Sequence, residues 1–244
     1  MLRKYLFFIF VFLLVPLAAS AMKLEDKVKE HVFDNGLKLL VVERDSAPVF
    51  SAYITIGVGA VHETSRTRGV AHLLEHMLFK GTKTLGTTDY EAEKLLLKNI
   101  EKIGNLIDRL KIDPKTDPAE LQKLRDELAA LQQEHKQYVV KDEFSRIYSE
   151  NGGTGYNAFT SKDQTTYVIN LPSNKLELWA AIESDRMKNP VLREFYTERD
   201  VIMEERRRSY ESNPRGMLYE NLIANAFTVH PYRNPIIGWS SDIA

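Results

Sequence analysis

The chain has 244 residues, 33 lysines and arginines against 34 acids, a formal net charge of −1, 43% hydrophobic residues and no cysteine. A near-neutral balance without a basic block excludes nucleic-acid binding driven by charge. The lack of cysteine excludes a disulfide framework and a lipid-modified cysteine, so the fold has to rest on core burial, for which one large or two small domains have enough apolar content.

Arg3 and Lys4 precede an apolar run from Tyr5 to Leu17, and Ala19-Ser20-Ala21 has the small-x-small form of a signal-peptidase site. We expect residues 1–21 to be a signal peptide cleaved after Ala21. The apolar run is short for a span and charges follow at once in Lys23, Glu25, Asp26 and Lys27, so no stable membrane span is expected after cleavage. The expected location is the periplasm or the exterior.

Asn35-Gly36 between apolar flanks signals a β-hairpin, with Lys38 to Glu43 as its second strand. Pro48 to Val58 reads as another strand, Phe50, Ala52, Ile54 and Ile56 alternating with Ser51, Tyr53 and Thr55. A helix follows from about Thr67-Arg68-Gly69 to Lys80-Gly81, with Gly81 as its expected C-cap. It carries His72-Leu73-Leu74-Glu75-His76. Positions i, i+3 and i+4 share one helical face, so both imidazoles and the carboxylate converge while Leu73, Leu74, Met77 and Leu78 can anchor the turn. Two neutral imidazoles suit a borderline-soft divalent ion such as zinc, and the carboxylate between them is free to accept a proton from water.

Thr88-Asp89-Tyr90-Glu91 caps the next helix. Leu96, Ile100, Ile103, Ile107 and Leu110, then Leu121, Leu124, Leu128, Leu131, His135 and Tyr138, step at helical spacing on either side of a Pro-rich turn, where Asp117 and Pro118 restart the helix. The pattern predicts an antiparallel helical hairpin over 92–150, with His135 a packed residue on its apolar stripe. Strands are expected at Gly155 to Phe159 and Thr165 to Leu171, and helices at Ser173 to Lys188, Leu192 to about Glu211 and Pro214 to about Phe227. Without βαβ alternation, the fold class is α+β with an antiparallel-rich sheet packed with helices.

Two imidazoles need a third protein ligand, with a position left open. Glu198, Glu204 and Glu205 offer it. Glu198 and Glu205, nearly two turns apart, share a face, and Glu204 points about 100° away from Glu205. Either member of the seven-spaced pair can ligate while the other supports from behind.

The blocks HLLEHMLFKGT at 72–82, NAFTSKDQTTY at 157–167, ESDRM at 183–187 and ERDVIMEE at 198–205 resemble the pitrilysin, insulysin and mitochondrial processing peptidase group of zinc peptidases. The resemblance runs from about His31 to Ala244. It implies His72, His76 and Glu205 as zinc ligands, Glu75 as general base, and Glu198 as the accompanying acidic member of the catalytic set. It also implies one Zn2+ per site and an edge strand at Asn157-Ala158-Phe159 that pairs with an extended peptide substrate. The interval from His76 to Glu205 is longer than the family's usual one, which marks the helical hairpin as an insertion. The family closes a chamber from two homologous halves, so 22–244 is expected to be an N-terminal metallopeptidase domain, incomplete at its C-terminal end, that works with a C-terminal half or second subunit. The function implied is zinc-dependent hydrolysis of short or unfolded peptides. The alternatives are a noncatalytic peptide-holding partner subunit and a periplasmic adaptor docking through the hairpin.

The exported protein is expected to begin at Met22. N-terminal sequencing of the secreted or periplasmic chain checks this, and a chain that keeps residues 1–21 would contradict it.

Overall fold

The strand that organises the structure is β5 (Thr165–Pro172), buried along most of its length and paired on both sides. In the computed structural model, which describes residues 24–243 apart from 45, contacts divide the chain into Met1–Pro48 and Val49–Ala244. The expected signal peptide lies outside the described residues.

In the first unit, β1 (Val28–Val32) and β2 (Lys38–Val42) form an antiparallel hairpin in the register Val28 to Val42 and Val32 to Lys38. The Asn-Gly turn forms as expected, the Gly36 N–H donating to Phe33 O at 2.8 Å and the Phe33 N–H to Leu37 O at 2.8 Å.

In the second unit, β3 (Val49–Ile56), β5 and β4 (Thr154–Thr160) form an antiparallel sheet in the order β3-β5-β4. The α+β class with an antiparallel sheet is therefore as the sequence implies. α1 (Val70–Met77) carries the His-Leu-Leu-Glu-His segment and is shorter than expected. Met77 and Leu78 are buried, Leu78 against Ala158 and Tyr167, and Leu73 packs beside Ile202 and Ile237, whereas Leu74 is left 45% exposed. Gly81 does not cap α1. It lies four residues past the helix end at φ +111°, where a Cβ would run into Leu85 O.

α2 (Tyr90–Lys111) and α3 (Pro118–His135) are the two arms of the predicted hairpin. Asp89 accepts from the Ala92 N–H at 3.0 Å and Asp117 from the Ala119 N–H at 2.9 Å, the caps the sequence predicts. The rest of 92–150 departs from the expectation. The chain returns from α3 beside the α1–α2 loop, the Val140 N–H donating to Gly86 O at 3.1 Å and the Thr88 N–H to Tyr138 O at 2.8 Å. It then forms a separate helix, α4 (Glu143–Glu150), whose Phe144 and Tyr148 join Ala52, Ile169, Leu171 and Ile182 in the main core. Residues 143–150 therefore belong to the domain and not to the hairpin, because their apolar face fills the space over β5.

α5 (Leu176–Lys188) leads through a loop to α6 (Phe195–Arg206), which continues as a π-helical turn over Arg207–Glu211, and α7 (Pro214–Ala226) and the short α8 (Ser240–Ile243) follow. α6 begins later than Leu192 because Glu194, in the left-handed region at φ 57°, breaks the helical path. No helix among the described residues is long and apolar enough to cross a membrane.

A buried ionic cluster pins the base of the hairpin to the α5–α6 loop. Glu93 Oε1 accepts from Arg193 Nε at 2.7 Å and from His135 Nε2 at 2.7 Å, while Arg193 Nη2 donates to Thr82 O at 2.6 Å. Glu93 and Arg193 are 0% exposed and His135 2%. Burial alone would raise the Glu93 carboxyl, but His135 and Arg193 outweigh it and hold the group below its ordinary value of 4.5. Glu93→Gln leaves a buried guanidinium uncompensated, so unfolding in urea at pH 7 should show a loss of about 3–5 kcal/mol. A carboxyl depressed on folding stabilises fully above its ordinary value and loses that contribution as pH falls through the folded value. The stability gap between wild type and variant should therefore narrow below pH 4.5. A gap that stays constant into acid would contradict the assignment.

Candidate metal centre

α1 supplies two imidazoles from successive turns, their ring centroids 4.6 Å apart. Its start is held by Glu63, whose Oε2 accepts from the Gly69 N–H at 2.9 Å and Oε1 from the Ala71 N–H at 2.8 Å, placing a carboxylate at the positive end of the helix. α6 crosses α1 and brings Glu205 to the histidines. Glu205 Oε1 lies 3.8 Å from His72 Nε2 and Oε2 lies 3.6 Å from His76 Nε2. One ligand atom from each of the three residues falls within 4.8 Å of the others.

The pair left open by spacing is thereby separated in space. Glu198 sits behind His76, its Oε1 accepting from Nδ1 at 2.9 Å and its Oε2 lying 2.5 Å from Lys80 Nζ. Glu198, which the resemblance places in the catalytic set, thus touches His76 on the ring nitrogen turned away from Glu205 and lies outside the group of three donors. Glu204 turns outward and pairs with Arg207 at 2.6 and 2.7 Å.

Glu75 stands beside the three donors, 8% exposed, and accepts from Thr160 Oγ1 at 2.5 Å. Burial raises its carboxyl above the ordinary value, against the opposing Thr160 hydrogen bond. Burial and the neighbouring His76 push His72 down to about 4, which keeps its imidazole neutral at pH 7. The hydrogen bond to Glu198 raises His76 despite burial, and the same bond, with Lys80, draws Glu198 down to about 2.

Asn157, Ala158 and Phe159 lie on β4, an outer strand of the three-stranded sheet that pairs with β5 on one side. Ala158 is buried against Leu78 and Tyr167, Phe159 is 46% exposed, and Asn157 lines a cleft of about 490 Å³ together with Glu75 and His76. Phe79, Val140, Phe144 and Val201 give that cleft its apolar wall. Pattern reading did not single out Glu63, Lys80 or Thr160. Lys80 stands four residues after His76, a helical interval that was the one available clue, while Thr160 and Glu63 touch the site only through tertiary packing.

Two imidazoles and one carboxylate are the kind of donor set that suits zinc with a position left open, so the residues present fit that ion. A model of the insulinase family, peptidase family M16, matches residues 39–107 and 136–239. The chain belongs to this family. The M16 match passes over 108–135, the end of α2, the turn and α3. Zinc protease PqqE of Helicobacter pylori is 29% identical over 237 residues, 95% of this chain and 41% of that protein. The probable mitochondrial-processing peptidase subunit beta of Arabidopsis thaliana is 24% identical over 211 residues, 86% of this chain and 29% of that protein. Among solved structures, a protease from Helicobacter pylori superimposes with a TM-score of 0.63 at 27% identity, covering 89% of this chain and 40% of that one. A Pseudomonas fluorescens structure described as the inactive domain of an M16 peptidase shares the fold, with a TM-score of 0.60 at 14% identity. The chain spans about 40% of the length of these two Helicobacter pylori proteins.

Glu198→Ala removes the acceptor of His76 Nδ1–H. Zinc affinity, measured by competition with a chromophoric chelator, should fall about 10–100-fold with circular dichroism unchanged. Unchanged affinity would mean that packing alone orients His76.

Proposed function

We propose that this chain is the metal-bearing part of a zinc endopeptidase acting on short or unfolded peptides. The observation that carries the reading is the meeting of His72, His76 and Glu205 at one point, with a buried, hydrogen-bonded Glu75 beside it. Zinc held by His72, His76 and Glu205 would polarise the scissile carbonyl and acidify a water at the open position. The chain's own residues do the rest. Glu75 takes a proton from the attacking water and delivers it to the leaving amine nitrogen as the carbon–nitrogen bond breaks, so the water oxygen ends on the new carboxylate. Thr160 occupies Glu75 Oε2 and leaves Oε1 as the proton-carrying oxygen. Glu198 holds the His76 ring against Glu205.

An extended substrate fits as a further strand along Asn157 to Phe159, giving affinity through backbone hydrogen bonds with little sequence selectivity. The short coverage of the relatives supports a second half or partner subunit that completes the enclosure. Export by residues 1–21 would place the reaction in the periplasm or outside the cell. The M16 neighbour described as an inactive domain favours one second reading, a noncatalytic subunit that holds peptides on the same strand edge.

Glu75→Gln should retain zinc at the wild-type level and lose at least about 100-fold in cleavage of a quenched fluorescent peptide. A variant that cleaves at the wild-type rate removes Glu75 from the mechanism. A wild-type chain that holds zinc and cleaves nothing, even with its second half supplied, favours the peptide-holding reading.

A further inference from the structure

α3, which lies in the stretch that the family match passes over, packs together with α2 against the back of the helix that carries Glu198 and Glu205. Tyr196, near the start of α6, is buried between Leu96 and Ile100 of α2, with Leu128 and Leu131 of α3 closing over the cluster. Its ring fills a notch at Gly104, where a Cβ would fall inside the ring. One turn on, Arg199 stacks over the Tyr196 ring at 5.2 Å and pairs with Asp108 at 2.8 Å, and Gln132 of α3 reaches Thr197 at 3.4 Å. At about 100° per residue, Tyr196 lies about 180° from Glu205 around the axis. The hairpin thus bears on the face of α6 opposite the metal donors.

We propose that the α2–α3 hairpin is a brace for the ligand helix, with Tyr196 and Arg199 as positioning residues that set the roll of α6 and hence the placement of Glu205 and Glu198. The geometry makes this sensitive. A carboxylate about 5–6 Å from a helix axis moves about 1 Å for a roll of about 10°. Zinc–ligand distances tolerate about 0.2 Å. An unbraced α6 would still fold against α1 through Ile202, which packs with Leu73 and Ile237, yet would present its glutamates with a spread of orientations. The hairpin belongs to the metal site, in this view, although among the described residues none of its side chains bonds to a donor residue.

This rests on the zinc reading of the site, and its test separates the two. Zinc affinity of the full 244-residue chain is measured by chelator competition alongside thermal unfolding. Tyr196→Ala should weaken zinc at least about tenfold, Asp108→Ala should weaken it in the same direction, and Tyr196→Phe, which keeps the ring in its notch, should retain wild-type affinity. Leu171→Ala, in the core over β5, should lower thermal stability while leaving zinc affinity unchanged. The brace is overturned if folded Tyr196→Ala binds zinc as tightly as wild type, or if Leu171→Ala weakens zinc as much, since affinity would then follow global stability. If Tyr196→Ala does not fold, Asp108→Ala decides by the same readout, wild-type affinity counting against the brace. A wild-type chain that binds no zinc removes the metal reading, and the brace with it.

Discussion

The hydrogen bond between His76 Nδ1 and Glu198 joins two helices that the sequence holds 122 residues apart, and the rest of the site depends on it. A carboxylate accepts and does not donate, so this contact puts a ring proton on Nδ1 and leaves Nε2 on the side that faces Glu205. Lys80 reaches the other Glu198 oxygen from the end of α1. The resulting chain of Lys80, Glu198 and His76 leaves the buried carboxylate paired on both oxygens, the condition under which a charge in a protein interior is tolerated. Among the described residues His72 has no such support, and its Nδ1 is buried without a hydrogen-bond partner. The ring is oriented by the helix and its packing, so the two histidines reach the same point by different physical means.

Around this contact the domain is arranged so that each helix is fixed from more than one side. α1 lies on β4 and β5 through Leu78 at its end, and Glu63 caps its start. α6 has α1 in front and the helical hairpin behind. The buried Glu93, Arg193 and His135 fasten the hairpin to the loop from which α6 starts. Such a cluster costs desolvation and adds little net stability over apolar packing, but its geometry admits few alternative arrangements. That specificity is what a site with tolerances of tenths of an ångström needs.

The parts of the fold readable from sequence are those whose cause is local. The His72 to His76 interval is a helical period, the alternation from Phe50 to Ile56 is a strand period, and Asp89 and Asp117 are caps whose partners lie two or three residues away. The choice between Glu198 and Glu205 was not local, because both share one face of α6 and only the crossing of α6 over α1 decides which meets the histidines. Nothing local distinguishes Glu93 from the other acids of α2, since its partner Arg193 is 100 residues away. The pattern carries the hairpin on to 150 for a related reason. The residues between α3 and α4 include no glycine or proline to mark a break, and only the fit of Phe144 and Tyr148 over β5 sets α4 apart.

The most direct test of the central claim is zinc K-edge absorption spectroscopy of the metal-loaded chain. Two imidazole nitrogens are expected at about 2.0–2.1 Å with carboxylate or water oxygens completing the shell, and replacement of His76 should remove part of the imidazole multiple-scattering signal. A shell of oxygens alone, or a spectrum unaltered by that replacement, would show that the metal sits elsewhere and that α1 and α6 do not form its site.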